Sequence, residues 1–466
     1  MNLLHTVKRL EQICFGLFLL TAPLWAQVEN TPMGSGLAQS GQTETQDSSS
    51  DRMQAPPPVS GQSYPTAFAD EERANYLRAG VVFTSAYTDN AVGPVNGVPI
   101  SDISYYITPT IALDETTPRI HSVLSYAPGF TFYQRENDRN ETDQNAAIDL
   151  TFKLSPHVTL NAKDSFQRTS NFFNQPDTLA AGAVSGGTQT ANDSVISPIA
   201  EQLRNFGSVG ATYQFALNSM IGATGTFSNL HYPNSSEVAG LFDSAAQGGS
   251  FFYSWRISKV NTLGLTYQYQ RLVSYPTGGT SETQTHAVMI FYTWAPSARF
   301  SISLFGGPQY ADTIEPPIAP LGIVVPPMKS WNPAVGASFG WQGRSTSLAL
   351  SYSHMISGGG GLTGAVHLDS VTTSVRQQIT RSLSGSISGA YAQNDVIGSL
   401  LPGNNSGHSM IGAASLLEQI GPRLSLQAGY SRLHQEYSSV AVIAATPDTN
   451  REFISLSWQF SRPLGR

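Results

Sequence analysis

From residue 76 to the end, breaks between segments of alternating apolar and polar residues are alternately short and long, and this rhythm constrains the fold more than any composition could. The short breaks are Asp114 to Arg119, Ser155 to His157, Ala216 to Ser219, Ser258-Lys259, Ala295 to Ser297, Gly343-Arg344, Thr380-Arg381 and Ile420 to Pro422. The long ones interleave with them, at roughly 88–101, 134–145, 169–202, 232–247, 272–283, 311–332, 356–367, 394–408 and 437–450. Period-two alternation makes a strand with one greasy and one polar face. Eight short breaks pair sixteen strands, and one more at each end makes about eighteen. An even count, with short turns at one end and long loops at the other, predicts an all-β fold: a transmembrane antiparallel up-and-down β-barrel. A soluble sandwich would give no reason for such interleaving. A hairpin repeat of about 40 residues also suits a β-propeller, but recurring Trp-Asp or Gly-His signatures are absent.

The stretch Ile120 to Gln167 sets the facing. Ile148, Leu150, Phe152 and Leu154 alternate with Asp149, Thr151 and Lys153, and after the turn Val158, Leu160 and Ala162 alternate with Thr159, Asn161 and Lys163. Pairing Leu154 with Val158 sets Phe152 against Leu160 and Asp149 against Lys163, so both charges share the polar face as a cross-strand pair. A charge facing hydrocarbon at mid-membrane costs about 2–4 kcal/mol. The channel-lining candidates are therefore Asp149, Thr151, Lys153, Asn161 and Lys163. Asp164 breaks the pattern and is expected near the outer rim. A second hairpin, with Gly343-Arg344 as a tight two-residue turn, pairs Phe339 with Leu348, Ala337 with Leu350 and Val335 with Tyr352. Pro109, Pro128 and Pro308 fall inside predicted strands, where proline cannot donate to a ladder. Each is expected at a bulge or a strand end, with Pro128-Gly129 as a bulge, and these prolines widen the strand count to sixteen to twenty.

Tryptophan placement adds an independent sign. Trp255, Trp294, Trp341 and Trp458 all fall where a strand approaches the short-turn side, while Trp331 lies in a long break. Indole prefers the headgroup level, where its ring is buried and its N–H stays wet, so these four form the expected periplasmic aromatic girdle.

Charged residues make up 12% of the chain and hydrophobic ones only 40%. Small and polar residues fill the difference, which suits thin strands with a polar inner face. A net charge of −7 gives no support for nucleic-acid binding. Met1 to Ala26 has a basic start at Lys8 and Arg9, an apolar run from Ile13 to Ala22 and a Pro23-Leu24-Trp25-Ala26 cleavage region, the pattern of a secretory signal peptide. A membrane anchor is the other reading, but the run is short for a bilayer. Cys14, the one cysteine, lies inside it. Residues 27–75, with Gln46-Asp47-Ser48-Ser49-Ser50 and Pro56-Pro57-Pro58, have the composition of a disordered periplasmic linker, and 76–466 make the barrel. About fifty linker residues are too few for the plug of a TonB-dependent transporter.

No catalytic constellation stands out. His231, His286, His354, His367, His408 and His434 are spread over different strands and loops without metal-ligand spacing, and no phosphate-binding or dinucleotide fingerprint is present. No enzyme activity, cofactor or metal is expected. The glycine run Gly358 to Gly361 is expected to be a flexible loop. The longest loop, 169–202, either folds inward to narrow the pore or lies outside as a flap.

Ser125-Tyr126-Ala127-Pro128-Gly129-Phe130-Thr131-Phe132-Tyr133, an Asn/Asp-rich loop, and then Ala147-Ile148-Asp149-Leu150-Thr151-Phe152 with Leu154-Ser155 resemble the β-barrel porin family. The likeness is clearest over 80–170. It implies a bacterial outer-membrane barrel and, because some members accompany exopolysaccharide assembly, allows a role in polysaccharide export. Such barrels end on an aromatic residue read by the outer-membrane assembly machinery; Ile454, Leu456, Trp458 and Phe460 match that last strand, although Ser461 to Arg466 follow. The expected partners are outer-membrane lipid, that machinery, and a hydrophilic solute or polysaccharide. Three functions stay open: a porin-like aqueous channel, an export exit, and a plugged structural barrel.

Overall fold

The computed structural model describes residues 75–91, 100–136, 139–169, 201–235, 239–276, 279–297, 299–316, 326–397, 406–438 and 447–464, with Met53, Ala55, Pro56, Phe173, Val195, Val440, Ile443 and Ala444 as isolated positions. The expected signal peptide and most of the expected linker lie outside these residues.

Eighteen antiparallel strands form one sheet. The first six are β1 (Tyr76–Thr88), β2 (Asp102–Thr116), β3 (Ile120–Tyr133), β4 (Glu141–Lys153), β5 (Val158–Thr169) and β6 (Gln202–Ala216). Then come β7 (Ser219–His231), β8 (Ser244–Ser258), β9 (Asn261–Ser274), β10 (Ser281–Ser297), β11 (Phe300–Ile314) and β12 (Met328–Gln342). The last are β13 (Thr346–Gly358), β14 (Ala365–Gln378), β15 (Leu383–Val396), β16 (Gly407–Gln419), β17 (Leu424–Tyr437) and β18 (Asp448–Pro463). Each strand pairs with its sequence neighbours, and β1 pairs with β18 over its whole length, from Tyr76 opposite Pro463 to Thr88 opposite Arg451. The sheet is closed, so no edge is left with unpaired backbone groups.

Alternation assigns the two faces. Large apolar side chains point outward on every side of the ring, among them Phe83, Ile111, Leu124, Leu160, Val209, Phe251, Leu265, Ile290, Leu304, Leu350, Ile387, Leu416 and Leu456, all exposed. Val209 is 67% and Ile290 60% exposed, values that a soluble protein would rarely tolerate in so continuous a belt. The inner face is polar. Hydroxyl pairs bridge neighbouring strands there: Thr84 with Ser455 at 2.7 Å across the closing seam, Thr293 with Ser303 at 2.6 Å, Ser353 with Ser370 at 2.8 Å and Ser386 with Ser415 at 2.8 Å. Such cross-strand pairs contribute roughly 0.2–1 kcal/mol each, which gives the serine- and threonine-rich composition a structural use.

The short turns carry local hydrogen bonds suited to their residues. The Ser155 hydroxyl accepts from the Val158 amide at 3.1 Å, and the Thr117 hydroxyl accepts from the Ile120 amide at 3.0 Å. The β4–β5 register is the predicted one, with Phe152 opposite Leu160 and Asp149 opposite Lys163. The β12–β13 register differs from expectation by two residues. Phe339 faces Leu350, Ala337 faces Tyr352 and Trp341 faces Leu348. The turn still has two residues, but they are Arg344 and Ser345, where Gly343-Arg344 was expected, because Gly343 is still bonded across the hairpin, its amide donating to the Thr346 carbonyl at 2.7 Å. A slip of two preserves parity, so every side chain keeps its predicted face.

The prolines also depart from expectation. Pro109 and Pro128 face a gap in the β2–β3 ladder between the Ile107–Phe130 and Ile111–Tyr126 pairs, and the register is the same on both sides. The sheet gives up a few pairs at this point and inserts no extra residue, so Pro128-Gly129 is not a bulge. Gly129 leaves space that the Tyr106 ring fills; a Cβ there would collide with it. Pro308 sits at a similar gap between β10 and β11. Trp331, expected in a loop, belongs to β12 and packs on Tyr310 with ring centroids 5.1 Å apart.

Candidate functional site

The five predicted lining residues lie on the inward face of β4 and β5. Lys163 Nζ is 2.8 Å from Asp149 Oδ2; the Asp149 side chain is 16% exposed and that of Lys163 42%. Thr151 is buried opposite Asn161, and Lys153 stands opposite Thr159 at the turn. The polar wall continues over β1–β3, where Asp114 takes both Arg78, at 3.7 Å, and His121, at 3.3 Å. Sequence reasoning missed Arg78, Asp114 and His121, although the Tyr76–Asp114 ladder follows from the same alternation. Asp164, by contrast, is on the outer face between Ala162 and Phe166 in mid-strand, not at the rim, and accepts from the Asn205 side-chain amide at 3.3 Å. Trp255, Trp294, Trp341 and Trp458 all project outward at the short-turn end, each between 39% and 46% exposed.

One sector of the lumen near the short-turn end is apolar. Met220, Phe252, Ala287, Met289, Phe291, Phe305 and Ala334 face inward from β7, β8 and β10–β12 and are buried. Met53 belongs to the same cluster, with Ala55 packed against it, and its backbone amide donates to Gln214 Oε1 at 2.9 Å. Gln214 in turn donates to the Leu217 carbonyl in the β6–β7 turn. A piece of the chain before the barrel therefore sits inside the wall near the short-turn end. No pattern in 27–75 announced it, because one methionine among polar residues carries no periodicity.

At the opposite mouth, described residues of four long loops face inward. Leu230, Tyr232, Leu241, Leu362, Val366, Tyr437, Val440, Ile443 and Val195 make one buried apolar cluster drawn from four loops and the strand ends beneath them. The Phe242 amide donates to the Gly361 carbonyl at 2.7 Å, tying the β7–β8 loop to the β13–β14 loop. Gly360 and Gly361 adopt φ of 62° and 109°, and a Cβ on Gly361 would strike Tyr232. The glycine run is thus a docked turn in this structure, where a flexible loop was expected. Phe173, from the longest loop, packs on inward-facing Ile411 and Leu433 on the far side of the ring. The Arg451 guanidinium donates to the Phe173 carbonyl at 2.9 Å and lies 5.3 Å from the Phe173 ring centre. At its described positions, then, the 169–202 loop is inside the barrel. Burial pushes the Tyr232 phenol up to about 12.

Among the described residues, the six histidines singled out in the sequence, His231, His286, His354, His367, His408 and His434, do not converge on a catalytic centre. They lie on the outer face toward the loop ends, and several pair with acids: His231 with Asp243 at 2.6 Å, His354 with Asp369 at 2.9 Å and His434 with Asp448 at 3.1 Å. One set, His408 with His434 and Glu436, does come together although no metal-ligand spacing was apparent in the sequence. The signal was available in the register of β16 and β17, not in linear spacing.

A closed antiparallel barrel of eighteen strands, apolar outside and polar within, is the class of protein that this fold and lumen define. No family model matches the chain, and no curated protein matches it. Solved barrels similar to it include OccAB4 of Acinetobacter baumannii, at 8% identity and a TM-score of 0.40 over 84% of this chain and 99% of that one. OpdK of Pseudomonas aeruginosa with vanillate is similar at 8% identity and 0.39, covering 83% and 99%. The ferric citrate transporter FecA gives 11% and 0.42, covering 83% of this chain and 64% of that one. Identities and scores this low carry nothing about cargo.

Proposed function

We propose that the chain is a bacterial outer-membrane channel for hydrophilic solutes, narrowed from both ends by its own segments. The observation that carries this reading is the two-faced wall: a belt of exposed Phe, Leu, Ile and Val outside, and Ser, Thr, Gln and paired charges inside. Hydrocarbon satisfies the belt, and a strand barrel is the one sheet that satisfies its backbone in lipid. Barrels of this size leave an aqueous interior when nothing fills it. The four short-turn tryptophans then form the periplasmic girdle, and Met1 to Ala26 is the export signal. The last strand, ending through Trp458 and Phe460, is what the assembly machinery engages. Asp149 and Lys163 bias which ions pass.

A second reading has a specific observation in its favour. Met53 is buried against the inner wall and an apolar cluster gathers at the mouth, and on this reading the resting barrel is plugged. Planar-bilayer recording separates the two: steady open current in the full chain supports the open channel, and current only after removal of 174–194 or of 32–74 supports the plug. No current in any form, from protein shown to be folded, sinks the channel reading. A polysaccharide exit remains the third proposal; loss of surface polysaccharide with normal small-solute uptake in a deletion strain is its mark.

A further inference from the structure

The loop-side ends of β16 and β17 put two imidazoles and a carboxylate on the outer surface. His408 lies directly opposite Glu436 in the ladder, and His434, two residues before Glu436, shares its face. The rings of His408 and His434 are 5.5 Å apart, and His408 Nδ1 is 4.0 Å from Glu436 Oε2. That separation is at the limit of an ion pair and beyond hydrogen-bond length, so no hydrogen bond ties the two groups together. One ligand atom from each of the three residues lies within 4.8 Å of the other two. Among the described residues no other three histidine, cysteine or carboxylate side chains meet this closely.

The next strand supplies an independent feature. Asp448 of β18 stands opposite His434, with Oδ1 3.1 Å from His434 Nδ1. Asp448 is itself held by Arg432 Nη2 at 2.9 Å. An imidazole that donates from Nδ1 to a carboxylate keeps Nε2 unprotonated and aimed, which is how ligating histidines are usually fixed. His408 and His434 are each about one-third exposed and Glu436 74%, so the set is open to ions from solution.

We propose that His408, His434 and Glu436 bind one Zn²⁺ on the outward face of the barrel at its loop-side rim, with Asp448 as the residue that orients His434 and one coordination position left to solvent. Two imidazoles and a carboxylate suit Zn²⁺ or a neighbouring late transition metal better than Ca²⁺ or Mg²⁺. Donors on a tetrahedral zinc lie about 3.3 Å apart, as Zn–N and Zn–O distances near 2.0–2.1 Å require. Rotation of the exposed Glu436 side chain and of the two rings closes the present gap without moving a strand. The site needs no particular cargo and does not depend on whether the lumen conducts.

The experiment uses the untagged full chain, refolded in detergent, stripped of metal and titrated with Zn²⁺ alone by calorimetry. Heat-modifiable migration on gels verifies that each variant is folded. One equivalent is expected to bind, and Co²⁺ in its place to give a visible ligand-field band. His408→Ala and His434→Ala each remove the band, and Asp448→Asn weakens Zn²⁺ affinity about 10- to 100-fold. His286→Ala, at an outer-face histidine hydrogen-bonded to Tyr267, leaves binding unchanged. Wild-type uptake no greater than that of the His408→Ala/His434→Ala double variant overturns the site. So does an equal loss in His286→Ala, and unchanged affinity in Asp448→Asn overturns the orienting role.

Discussion

Replacing Ile290 with lysine tests what covers the outside of the barrel. Ile290 is mid-strand in β10, opposite Leu265 on β9 and Gly306 on β11, with Val288 and Tyr292 before and after it on the same face. It is 60% exposed, so the substitution disturbs little protein packing and reports almost purely on the medium outside. If that medium is hydrocarbon, a lysine at this depth costs about 2–4 kcal/mol, part of it recovered by snorkelling. At about 1.4 kcal/mol per decade, the folded-to-unfolded ratio falls roughly 30- to 900-fold. If the medium were water, a change at so open a position would stay within about 0.5 kcal/mol. The assay is reversible urea unfolding from phospholipid vesicles, followed by tryptophan emission. Gln284→Lys is the control, since it lies on the same face of β10 near the loop-side end, beside Glu282, where the cost is about 0–1 kcal/mol. An Ile290→Lys barrel as stable as wild type, or no less stable than Gln284→Lys, refutes the lipid belt and the channel reading with it.

Asp164→Leu should act in the opposite sense, because it removes a carboxylate from the outer face between Ala162 and Phe166; a gain below about 2 kcal/mol is expected in the same unfolding assay. Lys163→Met leaves Asp149 without its partner in the lumen, so reversal potentials across a KCl gradient should shift toward cation selectivity. Because Lys163 is 42% exposed, stability should change by less than about 1 kcal/mol. Met53→Asp sets a carboxylate against Met220, Phe252 and Met289 and should drive the segment from the lumen, raising single-channel conductance; unchanged conductance would mean that the segment does not obstruct the path. Arg451→Ala removes the donor that holds the Phe173 carbonyl, and more frequent opening events are expected in the same recordings.

Strand number, the two faces and the β4–β5 register are all legible in the sequence, because each depends on neighbours along the chain and on a period of two. The pairing of Asp149 with Lys163 follows from one turn and simple counting. The β12–β13 register was missed by two residues, since the turn sits one residue later, at Arg344-Ser345, and its position depends on how Gly343 and Thr346 bond and not on alternation. The ladder gaps at Pro109, Pro128 and Pro308 likewise needed both partners in view.

What fills the barrel was decided only by the closed structure. Met53 joins the cluster that holds Phe252 and Met289, and Phe173 packs on the cluster of Ile411 and Leu433, across intervals of chain that no local pattern spans. His408, His434 and Glu436 gather for a related reason, since a ladder places residues side by side that are far apart along the chain. Alternation tells a residue which side of a wall it faces. Curling that wall into a ring determines what stands across from it, because the lumen forms only when β1 meets β18.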